Sequence, residues 1–273
     1  MKNKIFKIIC IIPIILISTL IGGLILSGIF RIFIGKDNIK EYMNIIMLLS
    51  YIFVFFGLLF YNKYILKERL SYIWLRLSTS RFIVGYVHGI ALASVMFIIA
   101  HIMGLVSFNG INKSFIPMAI LFFIGFIFQS TCEELIMRGF ITRWVYNRFG
   151  KAVGIIAPSI IFAAMHLGNP SMKLFGFLNT ILIGILFAIY MFNTNTIDFP
   201  SGMHSAWNFF ISIIFGFKVS GIETGSLFNF VYKNSEIIGG GYGPEASYVL
   251  SIIILILIGA NLLKTNLIKR YEE

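Results

Sequence analysis

Residues 115–137 read FIPMAILFFIGFIFQSTCEELIM. Nothing charged occurs from Phe115 to Cys132, and two adjacent glutamates then fall inside the apolar stretch. At 1.5 Å per residue, a helix of this length crosses the ~30 Å hydrocarbon core of a bilayer. Seven further stretches meet the same criterion: Ile8–Phe30, Tyr42–Tyr61, Phe82–Val106, Ala152–Leu167, Leu174–Phe192, Pro200–Phe217 and Ala246–Leu263. The expected fold is all-α, a polytopic membrane protein with about eight transmembrane helices around an intramembrane cavity. Residues 1–273 are expected to form a single membrane domain.

Composition points the same way. Of 273 residues, 58% are hydrophobic and 12% charged, and the mean hydropathy is +0.91. There are too few polar side chains to clothe a soluble domain. The same figures exclude a disordered chain, a collagen and a disulfide scaffold. Cys10 and Cys132 both lie in apolar stretches, and no disulfide is expected between them. The +11 net charge could suggest nucleic-acid binding, but no basic stretch interleaved with aromatic residues is present, and no nucleic-acid partner is expected. The excess instead follows the loops. The two ends and alternate loops hold 15 of the 22 Lys and Arg, against 7 in the remaining loops, which places both termini in the cytoplasm.

The first span follows Lys2, Lys4 and Lys7, as a signal peptide would. Its apolar run is too long for a signal core and no small-residue cleavage pattern follows, so it reads as a helix. Gly239–Gly243 with Pro244 and Glu245 reads as a turn that puts Pro at the start of the last helix. A phosphate-binding loop would need a Lys-Ser/Thr ending, which is missing.

Ionisable residues inside a membrane are costly and therefore point to function. They are Glu133, Glu134 and Arg138 in the fourth span, His166 in the fifth, His204 in the seventh, and His88 and His101 in the third. Glu134 and Arg138 are four apart, share a helix face and can pair, while Glu133 points about 100° away. Taken alone, this could be an ordinary ion pair at a helix end. His166 lies 16 residues after Gly150, and Glu133 lies 17 before it. In an antiparallel hairpin turning there, the carboxylate and the imidazole share one depth and can meet. His204 and Asn208 also share a face. Near a helix N-terminus marked by Pro200 and Ser201, their donors could hold an oxyanion, or could simply bond a neighbouring helix. His88 and His101 face different directions and read as structural. Cys132 could be a nucleophile, but it faces away from Glu133 and reads as small apolar filler.

Glu133-Glu134-x-x-x-Arg138, Phe162-x-x-x-His166 and His204-x-x-x-Asn208, in this order on successive apolar segments, resemble the CPBP (CAAX prenyl protease and bacteriocin-processing, Abi) family. The resemblance covers residues 118–263, including Gly139 and the Gly-Pro-Glu turn. It implies an eight-helix intramembrane glutamate endopeptidase, expected in a prokaryotic plasma membrane. Glu133 with His166 would activate water, His204 and Asn208 would stabilise the oxyanion, and Glu134 and Arg138 would be structural support. A peptide or protein would be the substrate: a prenylated Cys-a-a-X tail, a bacteriocin or a signalling peptide. The alternative it leaves is a bacteriocin-immunity or peptide-binding protein that does not cleave.

The zincin-type and aspartyl protease classes lack their residues, and a serine protease stays open on residue inventory alone. No His-Glu-x-x-His occurs, and the two aspartates, Asp37 and Asp198, lie in predicted loops. No serine is placed as Glu133 is. The expected cofactor is none, with zinc on the Glu/His/His set as the minority alternative. A transporter would need a polar route across the bilayer, whereas these polar residues cluster. His204 lies near the cytoplasmic end of its helix, yet Glu133 and His166 are ~25 Å from Gly150. An overshoot of the fourth and fifth helices beyond the membrane would reconcile the two, with Arg143, Trp144, Tyr146 and Arg148 at the interface. On that basis, the cavity is expected to open to the cytoplasmic side.

Overall fold

The computed structural model describes residues 10–35, 39–233 and 235–272. Lys2, Lys4, Lys7 and Asp37 lie outside the described residues, as does the start of the first expected span. Among the described residues the chain forms eight α-helices: α1 (Ile11–Ile34), α2 (Met43–Phe60), α3 (Thr79–Ile102), α4 (Ile116–Glu134), α5 (Thr142–Met165), α6 (Leu174–Thr194), α7 (Asp198–Phe209) and α8 (Tyr248–Glu272). Two short strands, β1 (Val106–Ile111) and β2 (Phe228–Tyr232), pair antiparallel at one end of the bundle. The all-α expectation holds.

Each expected span coincides with a helix, but among the described residues only five helical stretches are long and apolar enough to cross a membrane by length and composition. The expected fourth and fifth spans form one stretch, Lys113–Met165. A wider π-helical turn, Leu135–Ile141, carries α4 into α5 without interruption, and the chain reverses at Gly150. That residue has φ 79° and ψ −179°, a conformation essentially restricted to glycine, so the hairpin expected there is built on it. The apolar part of α8, Tyr248–Leu263, is shorter than a full span. Pro244 opens a separate 3₁₀ turn, Pro244–Ala246, rather than α8 itself.

The seventh segment differs most from a lipid-facing span. Every residue of α7 from Asp198 to Asn208 is buried. Ser201, His204, Ser205 and Asn208 recur at helical spacing, a polar stripe that hydrocarbon would penalise and other helices can satisfy. Glycines bring α3 onto α7 backbone to backbone. A Cβ at Gly85 would lie 2.0 Å from the Phe199 carbonyl oxygen, and one at Gly202 would lie 2.1 Å from that of Phe82. Small residues four apart on α3, Gly85 and Gly89, thus give the close crossing used where no water drives helices together. Ser205 Oγ donates 3.3 Å to the Phe126 carbonyl on α4.

The start of α7 also corrects a sequence expectation. The helix begins at Asp198 rather than Pro200, and its free N–H groups do not serve a site at His204. Asp198 Oδ2 accepts from the Ser78 N–H at 2.8 Å, and the Asp198 N–H donates to Thr196 Oγ1 at 3.1 Å. His204 is one and a half turns further in.

Candidate active site

Glu134 is completely buried, and its Oε1 lies 2.9 Å from Arg138 Nη1. This is the i,i+4 pair that the spacing dictates. Arg138 also donates to the Gly184 carbonyl on α6 at 3.1 Å and lies over the Phe162 and Phe187 rings at 4.9 and 5.5 Å. The aromatic residue of Phe162-x-x-x-His166 therefore has a physical role. Phe162 packs between the guanidinium and the two imidazoles, edge-on to His166 with centroids 4.7 Å apart and to His204 with centroids 6.3 Å apart.

The same Oε1 of Glu134 accepts from His204 Nδ1 at 3.1 Å. That contact fixes the ring so that Nε2 points towards Glu133, 3.8 Å from its Oε2. The two neighbouring carboxylates therefore differ in environment. Glu134 is enclosed and charge-paired, whereas Glu133 keeps about a fifth of its side chain exposed. Glu133 lines a cavity of about 380 Å³ with His166, His204 and Asn208, so all four sequence-derived candidates face one space. His166 ends α5, and its Nδ1 is 2.8 Å from the Phe162 carbonyl oxygen. Nδ1 as donor leaves Nε2 as the acceptor. Glu133 and His166 share the cavity as the hairpin register requires, but His204 is the imidazole at ion-pair distance from Glu133.

Asn208 lines the cavity with its amide donor already engaged. Its Nδ2 donates to Gln129 Oε1 at 3.1 Å and approaches Ser130 Oγ at 3.4 Å. Gln129 Nε2 in turn donates to Glu133. Sequence reasoning missed Gln129, although a signal was present: it is the one carboxamide in residues 115–137, four positions before Glu133. Glu245, read from the sequence only as part of a turn, is buried and accepts from Trp207 Nε1 at 3.1 Å and Ser220 Oγ at 2.9 Å. Those contacts tie the Gly-rich turn to α7 next to Asn208.

His88 and His101 lie elsewhere, exposed on α3. The buried Cys132 thiol donates to the Tyr51 carbonyl at 3.4 Å. Arg143 donates to the Tyr72 carbonyl at 2.7 Å and lies 4.0 Å over the Trp74 ring, so the aromatic and basic residues before Gly150 form a packed cluster. Among the described residues, no three His, Cys, Asp or Glu side chains are grouped to hold a metal ion.

The cavity lies towards one end of the bundle. Its lining includes Asn44 at the start of α2, Asn169 after α5, and Ser212, Val219 and Thr224 after α7. These mark the end of the bundle opposite Gly150.

The fold and this cluster define a helical membrane protein with an acid, two imidazoles and a carboxamide on one internal cavity. Residues 115–210 match the family model described as type II CAAX prenyl endopeptidase Rce1-like, which bears out the resemblance carried by the three motifs. At family level, the match supports a CAAX-type intramembrane endopeptidase. No curated protein and no solved structure gives a match.

Proposed function

We propose that this chain is an intramembrane glutamate endopeptidase in which Glu133 activates water. The carrying observation is the split between adjacent carboxylates: Glu134 is consumed by Arg138 and His204, while Glu133 faces the cavity that His166, His204 and Asn208 also line. Water held by Glu133 and His166 attacks the scissile carbonyl carbon, and Glu133 takes the proton. The carbonyl oxygen becomes an oxyanion, met by Asn208 Nδ2 and by the Nε2–H of His204 in its doubly protonated form, whose Nδ1–H stays on Glu134. Donors placed in advance on a developing charge usually give the largest catalytic contribution. The tetrahedral intermediate then breaks its C–N bond, and Glu133 returns the proton to the departing amine.

The cavity is mixed, with Met47, Leu48, Phe122 and Phe126 beside the polar cluster. That combination suits a peptide with an apolar or lipidated segment. A prenylated Cys-a-a-X tail, a bacteriocin precursor and a membrane-bound signalling peptide all have that character. The deciding experiment compares peptides released from membranes carrying the wild-type chain or E133A. Glu133-dependent peptides are expected, and identical profiles would overturn the proposal.

A further inference from the structure

We propose that the Gln129 carboxamide occupies the place of the scissile peptide group in the resting enzyme, and that substrate displaces it. The inference rests on the proposed hydrolysis. A primary carboxamide is the smallest copy of a peptide group, with one carbonyl acceptor and N–H donors on a planar carbon. Here Gln129 Oε1 accepts from Asn208 Nδ2 at 3.1 Å, and Nε2 donates to Glu133. Hydrolysis calls for the same two contacts: the substrate carbonyl oxygen on Asn208, and the substrate nitrogen beside the carboxyl group that will protonate it.

The donor count makes displacement necessary. Asn208 Nδ2 has two hydrogens. One goes to Gln129, and the other faces Ser130 Oγ at 3.4 Å. No donor remains for an oxyanion until Gln129 withdraws. Gln129 is only partly buried and lines the 380 Å³ cavity, so its side chain can leave without moving α4. The arrangement also fixes the substrate's orientation. Its carbonyl points to α7 and its nitrogen to Glu133.

The test uses the full chain. Peptides released from wild-type membranes but not from E133A membranes identify substrates. A synthetic precursor of the most abundant one is then titrated against detergent-purified wild type, Q129A and Q129M. Removing the competing amide is expected to lower KM about two- to tenfold, the factor matching one neutral hydrogen bond, without lowering kcat. Q129M keeps the length of the side chain, and thermal unfolding shows which variants are folded. An unchanged or raised KM, or a reduced kcat, in a folded variant makes Gln129 a structural brace and overturns the proposal. If E133A releases the wild-type peptides, the hydrolytic reading itself falls, a result visible before any Gln129 variant is assayed.

Discussion

His204 Nδ1 lies 3.1 Å from Glu134 Oε1, the same oxygen that Arg138 approaches at 2.9 Å. One carboxylate oxygen thus holds a guanidinium from its own helix and an imidazole from α7. The pairing turns the other face of the imidazole to Glu133.

Removal of Glu134 leaves the Arg138 charge buried without its partner. E134A is expected to lose roughly 3–5 kcal/mol of stability, the usual cost of breaking a buried pair. E134Q keeps an acceptor and should lose less. Thermal unfolding of the purified chain in detergent measures both, and E134A unfolding with the wild type would show that the pair is dispensable.

Glu133 should behave in the opposite way. Its side chain meets the cavity, so E133A is expected to unfold at or near the wild-type temperature while proteolysis drops about 10²–10⁴-fold, the usual contribution of general acid–base catalysis. A large fall in stability without loss of proteolysis would assign Glu133 to the scaffold.

N208A removes one proposed oxyanion donor. A fall of about 10²–10³-fold in kcat with little change in KM is expected. A rise in KM alone would make Asn208 a substrate-binding group rather than a stabiliser of the oxyanion.

Proteolysis by the purified chain should survive dialysis against a strong chelator, because among the described residues no group of three His, Cys, Asp or Glu side chains is placed to hold a metal ion. Loss of activity that zinc alone restores would replace the water-activating carboxylate with a metal-bound water.

The contact between α3 and α7 lies outside the polar cluster, yet it should matter to it. G85L forces a branched side chain where even a Cβ meets the Phe199 carbonyl oxygen at 2.0 Å. Overpacking of this kind costs about 1–3 kcal/mol, and the shift of α7 would misplace His204 and Asn208 together. Activity lost while helix content persists, read by circular dichroism, is the expected result.

The sequence made the polar cluster legible because hydrocarbon gives such residues no other reason to be there. The i,i+4 relation of Glu134 to Arg138 and the equal spacing of Glu133 and His166 about Gly150 are helix geometry alone. The second partner of Glu134 was not legible, since sequence spacing does not say which helix crosses at its depth. Gln129 escaped notice because it carries no charge, and its significance lies in bridging Glu133 to Asn208, 79 positions beyond Gln129 itself. The end of the bundle at which the cavity lies was not legible, because α7 was taken to begin at the membrane surface. It starts inside the bundle, where Asp198 accepts from the Ser78 N–H.

That buried, polar α7 also constrains how the protein is made. A twelve-residue segment carrying Asp198, His204 and Asn208 is poorly suited to partition alone from the translocon into lipid. Its neighbours α3, α4 and α6 must already be present to receive it. The polar cluster is therefore complete only when the final pieces of the bundle close around that segment.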